Sequence, residues 1–307
     1  MSSPVLAAGR AVSRVTTKQR LGPDAQVDDK AMVIAPADPS LTDPFLALAE
    51  DWFSEPGFEW HPHRGLETVT IVLDGVLEHG DNIGNAGALQ PGDLQWMTAG
   101  RGIIHRELAF RNEHAHTMQL WLNLPARSKM VDTRYQDLLA ASRPHATLPG
   151  VDIDVVSGTV AGVTGPAANQ WPVQGAIVTV DPGAAADYAL PASHRAFAHV
   201  LSGAVSIAGR LVQAGQTAWS DPAGTARPAG AARPGSGPAD SALRLAVSAR
   251  GEQSRVMIYS GRPIREPVAM GGPFVMNKRT EIAQAFTDFR AGKFGQVPRQ
   301  ARLKYDR

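Results

Sequence analysis

His61 and His63 flank a proline in the stretch HPHRGLETVT, and His105 and Glu107 stand two apart in GRGIIHREL. On a β-strand, residues two apart project from the same face, about 6–7 Å from one another along the strand. Each pair therefore offers two donors to one side, and if the strands are neighbours three imidazoles and a carboxylate converge. That mixed nitrogen and oxygen set suits a divalent first-row metal such as Fe(II), Mn, Ni, Cu or Zn. On an octahedral ion, four protein ligands leave two positions open for water, substrate or O2. The chain has no cysteine, so disulfides and thiolate sites are excluded and any metal takes His and carboxylate ligands. Taken singly, each pair also fits a wet, hydrogen-bonded strand surface. Their coincidence beside glycine-rich turns in one half of the chain is what favours a metal centre.

The elements that must position these pairs are short strands. Runs such as TVTIVLDG, TMQLWLNLP, GAIVTVDPG, AFAHVLSGAVSIAG and SRVMIYSG recur with Gly, Pro and Asp punctuation, the pattern of a β-sandwich or barrel. Residues 68–97 and 196–220 repeat one layout of strand, tight turn, strand, loop and strand. A duplication with a period of about 130 residues accounts for this and predicts two barrels. The expected division is an N-terminal barrel over 1–135, a linker or short helix over 136–150, a second barrel over 151–262 and a tail over 263–307. Residues 221–240, DPAGTARPAGAARPGSGPAD, are too rich in Pro, Gly and Ala to build a core and read as a mobile loop of the second barrel. In the tail, Ile282, Ala285, Phe286 and Phe289 form one apolar stripe at helical spacing. Asn277 or Thr280 is the expected cap and Gly292 the expected stop.

The 307 residues carry 30 Lys and Arg against 29 Asp and Glu, so no global field draws in a polyanion, which argues against direct nucleic-acid binding. No run of about 18 apolar residues is present, so no membrane-spanning helix is expected. Arg10 and Arg14 interrupt the apolar N-terminus, which reads as a cytoplasmic start, with an organelle transit peptide as the alternative.

Longer words carry a resemblance. DPFLALAEDWF, HPHRGLETVT, GNAGALQPGDLQWMTAGRGIIHRE and LWLNLP, with EPVAMGGPFVMN in the tail, resemble the pirins, bicupin proteins of the cupin superfamily. The resemblance is dense over about 40–125 and 262–292 and thin over 140–260. It implies an all-β fold of two tandem cupin jelly-roll barrels with a short C-terminal helix. It also implies one divalent metal, usually iron, on His61, His63, His105 and Glu107. Cupins in general often place a ligand glutamate where this chain has Glu67; pirins take theirs from the HxE pair, so Glu67 is expected beside the site or simply in a strand.

The remaining candidates have plainer expectations. In the second barrel His194 and His199 are an odd number apart, without an HxH or HxE partner, so that barrel is expected to be a metal-free scaffold. His114 and His116 should edge a strand, Arg64 should be a strand-end surface group, His79 should be exposed beside a turn, and Trp96 and Met97 should fill core. Two functions follow from the resemblance. The first is a quercetin 2,3-dioxygenase-like enzyme that opens a flavonol or similar small aromatic with O2, with Glu107 as both ligand and base. The second is an iron-dependent, redox-sensing regulator that binds a protein partner. An inert storage bicupin is disfavoured because all four ligand positions are kept.

Overall fold

The structure is a computed structural model that describes residues 9–54, 57–222 and 241–298. The chain divides into two compact units, one of residues 19–142 with the segment from Ile264 onward, the other of the N-terminal segment through Lys18 with Arg143–Pro263. Both are built from antiparallel strands, and each holds a seven-stranded and a four-stranded sheet.

In the first unit the seven-stranded sheet runs Arg134–Leu138, Leu94–Thr98, Leu66–Gly75, Ala115–Asn123, Phe45–Phe53, Asp29–Ile34, Gln19–Arg20. The four-stranded sheet runs Phe58–His63, Ile103–Ala109, Leu77–Asp81, Ala86–Leu89. Val72, Phe53 and Ala115 from the large sheet pack on Leu77, Leu89 and Ala109 from the small one. Face-to-face burial of this kind closes a jelly-roll barrel. The second unit repeats both strand orders position by position. Its large sheet runs Arg14–Thr17, Gln216–Ser220, Arg195–Ser202, Ser254–Gly261, Val173–Val180, Val151–Ser157, His145–Leu148. Its small sheet runs Ala185–Leu190, Ser241–Ala246, Ala204–Ile207, Arg210–Gln213. The duplication read from residues 68–97 and 196–220 is thus a duplication of topology.

Three expectations need correction. Gln136–Leu138, expected as linker or helix, continue a strand, Arg134–Leu138, paired with Leu94–Thr98. The first strand, Arg14–Thr17, pairs with Gln216–Ser220 of the second unit rather than belonging to the first. Arg14–Thr17 takes the edge of the second large sheet that Arg134–Leu138 takes in the first, so the second sheet is completed from the chain's N-terminal segment while the first is completed from within 19–142. The tail helix spans Arg279–Arg290 with Lys278, not Asn277 or Thr280, as its N-cap; the Glu281 carboxylate accepts from the N–H groups of Asn277 and Lys278 at 3.0 and 2.9 Å. Its stripe does dock as expected: Ala285 is buried with Ile104, Phe274 and Phe294, and Ile282, Phe286 and Phe289 pack around them. Among the described residues no helix is long and apolar enough to cross a membrane. Residues 223–240 of the Pro/Gly/Ala stretch lie outside the described residues.

The two interiors differ. The register that pairs His61 with His105 and His63 with Ile103 pairs Tyr188 with Leu243 and Leu190 with Ser241 in the second unit. Glu107 faces His79 where Leu245 faces Ile207. Thr70, between Gln95 and Gln119, has Ala198 between Ala218 and Ile258 in its place. Apart from the edge residue Ser241, these replacements belong to one continuous buried apolar cluster. His199 lies on the other face of its strand from Ala198 and Val200, and its Nδ1 is 2.9 Å from the Thr217 hydroxyl. His194 Nδ1 is 3.1 Å from the Ser260 hydroxyl. His194→Ala and His199→Ala are therefore expected to leave metal content unchanged by elemental analysis; a fall in either would return a ligand role to this barrel.

Candidate metal centre

The bulge-free end of the Phe58–His63 strand sets His61 directly opposite His105 and His63 opposite Ile103. Three imidazoles then meet. Ring centroids are 4.3 Å apart for His61 and His105, 5.0 Å for His61 and His63, and 5.1 Å for His63 and His105. One ring nitrogen from each lies within 4.8 Å of the others.

Their second nitrogens say which atom is offered. His61 Nδ1 lies 2.7 Å from the Glu59 carbonyl oxygen, and His63 Nδ1 lies 3.2 Å from that of Pro273. A carbonyl accepts only, so each Nδ1 carries the proton and each Nε2 keeps its lone pair. His63 Nε2 and both nitrogens of the fully buried His105 have no hydrogen-bond partner. Buried orphans of this kind cost about 1–3 kcal/mol each unless something binds them. Burial lowers the pKa of all three, His63 to about 3 and His105 well below the ordinary value. Neutral imidazoles aiming free lone pairs at one point fit a first-row divalent metal.

Glu107 is not among the three residues that group within that distance. Its Oε1 accepts from the Thr70 hydroxyl at 3.0 Å and from Gln95 Nε2, and its Oε2 accepts from Gln119 Nε2 at 2.7 Å. Gln119 is held in turn by the Trp121 indole N–H, 2.9 Å from its Oε1. Thr70, Gln95 and Gln119 escape a reading of the sequence, because their shared face depends on which strands pair. Their alternation with apolar residues along LETVTIV and LQWMT is the only local signal.

The other candidates do not join the three-imidazole group, although the His79 ring lies 5.6 Å from that of His105. Glu67 is buried and accepts from Thr98 Oγ1 at 2.7 Å; an odd separation from Thr70 puts it on the opposite face of the strand. His114 and His116 bond separate carboxylates, Asp74 and Glu50, each at 3.0 Å. Trp96 and Met97 are fully buried, as expected. His79 is buried, not exposed: its strand runs between two others of the small sheet, and its ring stacks on Tyr135 at 4.3 Å. Arg64 is also buried rather than a surface group. It donates to the Arg101 carbonyl at 2.7 Å and to Asp288 of the tail helix at 2.9 Å.

The tail is thereby part of the site. Val275 N donates to the Arg64 carbonyl at 3.0 Å, and Pro273 supplies the carbonyl that orients His63. Gly65 has φ +80°, and a Cβ there would sit 2.0 Å from the Val275 oxygen, so only glycine lets the tail approach. Lys129, almost fully buried, donates to Gly65 O, Asn123 Oδ1 and Val275 O, each at 2.9 Å.

A cavity of about 450 Å³ opens beside the imidazoles, lined by His61, His63, Glu107 and Gln119 and mostly apolar elsewhere. Met32, Phe53, Phe58, Leu77 and Trp121 form its walls, and Ala47 and Ala49 leave it room. Burial pushes the Asp51 carboxyl in its wall up to about 6, against the pull of Lys30 and with help from the Glu107 charge.

Known proteins are similar to this chain. Residues 25–122 match the Pirin family model, and residues 238–295 match the model of the pirin C-terminal cupin domain. Pirin-1 of Arabidopsis thaliana is 36% identical over 288 residues, covering 92% of this chain and 96% of its own. Human Pirin is 38% identical over 259 residues, covering 82% of this chain and 83% of its own. A solved structure from Acinetobacter baumannii, named quercetin 2,3-dioxygenase, is 28% identical with a TM-score of 0.79 and covers 95% of this chain and 100% of its own. With two like-ordered barrels, a three-histidine cluster in the first and this identity over most of its length, the chain belongs to the pirin family.

Proposed function

We propose that this chain is a metal-dependent dioxygenase of the quercetin 2,3-dioxygenase type, opening the ring of a flavonol or similar enol-bearing aromatic with O2. The observation that carries the reading is the meeting of three lone-pair-bearing imidazoles with an apolar cavity large enough for such a ligand. The likeness to the Acinetobacter structure supports it. His61, His63 and His105 would hold the metal, for which we propose iron, with Glu107 as the carboxylate beside it. When bound, the metal supplies Lewis acidity towards an enolate oxygen and a route for O2 chemistry.

The chain's own residues do the rest. Glu107 Oε1 accepts two hydrogen bonds and Oε2 only one, so Oε2 retains a lone pair for the substrate's hydroxyl proton. Trp121, through Gln119, fixes the direction of that oxygen. Phe53, Phe58, Met32 and Leu77 cover the aromatic rings and exclude water.

The test is iron analysis of purified protein, anaerobic addition of quercetin, then O2 admission with O2 uptake and carbon monoxide release followed together. Iron-loaded protein inert towards quercetin and related flavonols would sink the enzyme reading and favour the regulator that binds a protein partner. Ala49→Phe is expected to keep its metal while losing flavonol turnover at least tenfold, because the phenyl fills the slot the alanine leaves open. Unchanged turnover in that variant would place the substrate outside this cavity.

A further inference from the structure

The floor of the cavity is the inner face of the large sheet, and its cross-strand rows can be read in order. Trp121 pairs with Ala47; Gln119 pairs with Ala49, which pairs with Met32; Thr117 pairs with Asp51, which pairs with Lys30. The Trp121 ring stands 5.2 Å from the His63 ring, and Gln119 holds Glu107. The Asp51 row is the next one out, about 6–7 Å beyond Gln119 along the strands. An aromatic whose reactive end lies at Glu107 and Trp121 therefore reaches Asp51 with its far ring, across the two alanines.

Asp51 is only 4% exposed, yet it lines the cavity and its Oδ1 has no hydrogen-bond donor. Lys30 Nζ is 3.7 Å from that oxygen and closer, at 3.1 Å, to Asp24. A buried carboxylate oxygen left without a donor is costly. A ligand hydroxyl would supply the donor and present its own oxygen to the Lys30 ammonium.

We propose that Asp51, with Lys30 beside it, is a specificity-determining group that selects aromatic ligands carrying a hydroxyl on the ring farther from the imidazoles. The inference rests on the proposed flavonol reading and names which flavonols fit. Binding is the readout, by anaerobic titration calorimetry on the metal-loaded protein. The probes are quercetin and 3-hydroxyflavone, which share the reactive enol but differ in the remaining hydroxyls. The wild-type chain is expected to bind quercetin at least tenfold more tightly. Asp51→Asn should weaken quercetin by on the order of tenfold, the low end of a charge-assisted hydrogen bond, and leave 3-hydroxyflavone unchanged, which also checks that the variant is folded.

Equal wild-type affinity for the two ligands would overturn the inference and leave the flavonol reading standing. Parallel weakening of both, in Asp51→Asn and again in Asp51→Ala, would reduce Asp51 to an ion-pair partner of Lys30 and overturn it as well. Absence of binding by either ligand would remove both readings.

Discussion

His105→Ala protein is expected to carry less than a tenth of the metal of the wild-type chain, which should hold close to one ion. His105 closes a triangle with the other two rings, 4.3 and 5.1 Å from their centroids, and of the three it is the imidazole with neither nitrogen engaged. Loss of an outer-shell partner alone weakens metal sites roughly 10- to 100-fold; loss of a ligand from a three-imidazole set should do more. Thermal melts give an independent check. Added metal should raise the Tm of chelator-stripped wild-type protein, since it binds only the folded state, and leave His105→Ala unmoved. Full occupancy in the variant would dissolve the assignment of the site.

The second large effect concerns Glu107→Gln. The substitution keeps the shape but brings an amide nitrogen into a cradle made of donors. Gln119 Nε2 lies 2.7 Å from Glu107 Oε2, and Gln119 cannot simply turn over because its Oε1 accepts from the Trp121 indole. The new side chain must give up one of these bonds or move, and it has no charge with which to take a proton. Metal affinity should fall moderately. Turnover per bound metal should fall by on the order of 10²-fold, the low end of what a positioned base contributes. Stopped-flow loss of the quercetin visible band, normalised to metal content, measures it. Full activity per metal would keep the enzyme and remove the base.

The imidazole cluster was legible because pleat parity is local: HPH and HRE each declare a shared face without knowledge of the partner strand. The tail helix was legible for the same reason, from one stripe of four residues. What surrounds the imidazoles was not. Arg64 finds Asp288 at a separation of 224 residues and His63 finds Pro273 at 210, and no local pattern announces either contact. His79 reads as turn-adjacent and exposed until its strand is seen between two others. The apolar lining of the second barrel was half legible: the missing HxH word was visible, while the replacements Tyr188, Leu190, Leu243 and Leu245 declare themselves only in register.

The tail's place in the first unit also sets an order of events during synthesis. His61, His63 and His105 leave the ribosome early, but the carbonyl that fixes the His63 tautomer arrives 210 residues after His63. At about 5–20 residues per second, that is a wait of roughly 10–40 s, during which the whole second barrel is made and can fold. Until then His63 is free to present either nitrogen, and the strand that closes over Gly65 is missing. The nascent chain should therefore hold metal weakly through most of its translation and tightly only near release. That timing would protect a half-built, open site from the first cation it meets and leave the choice of metal to the finished protein.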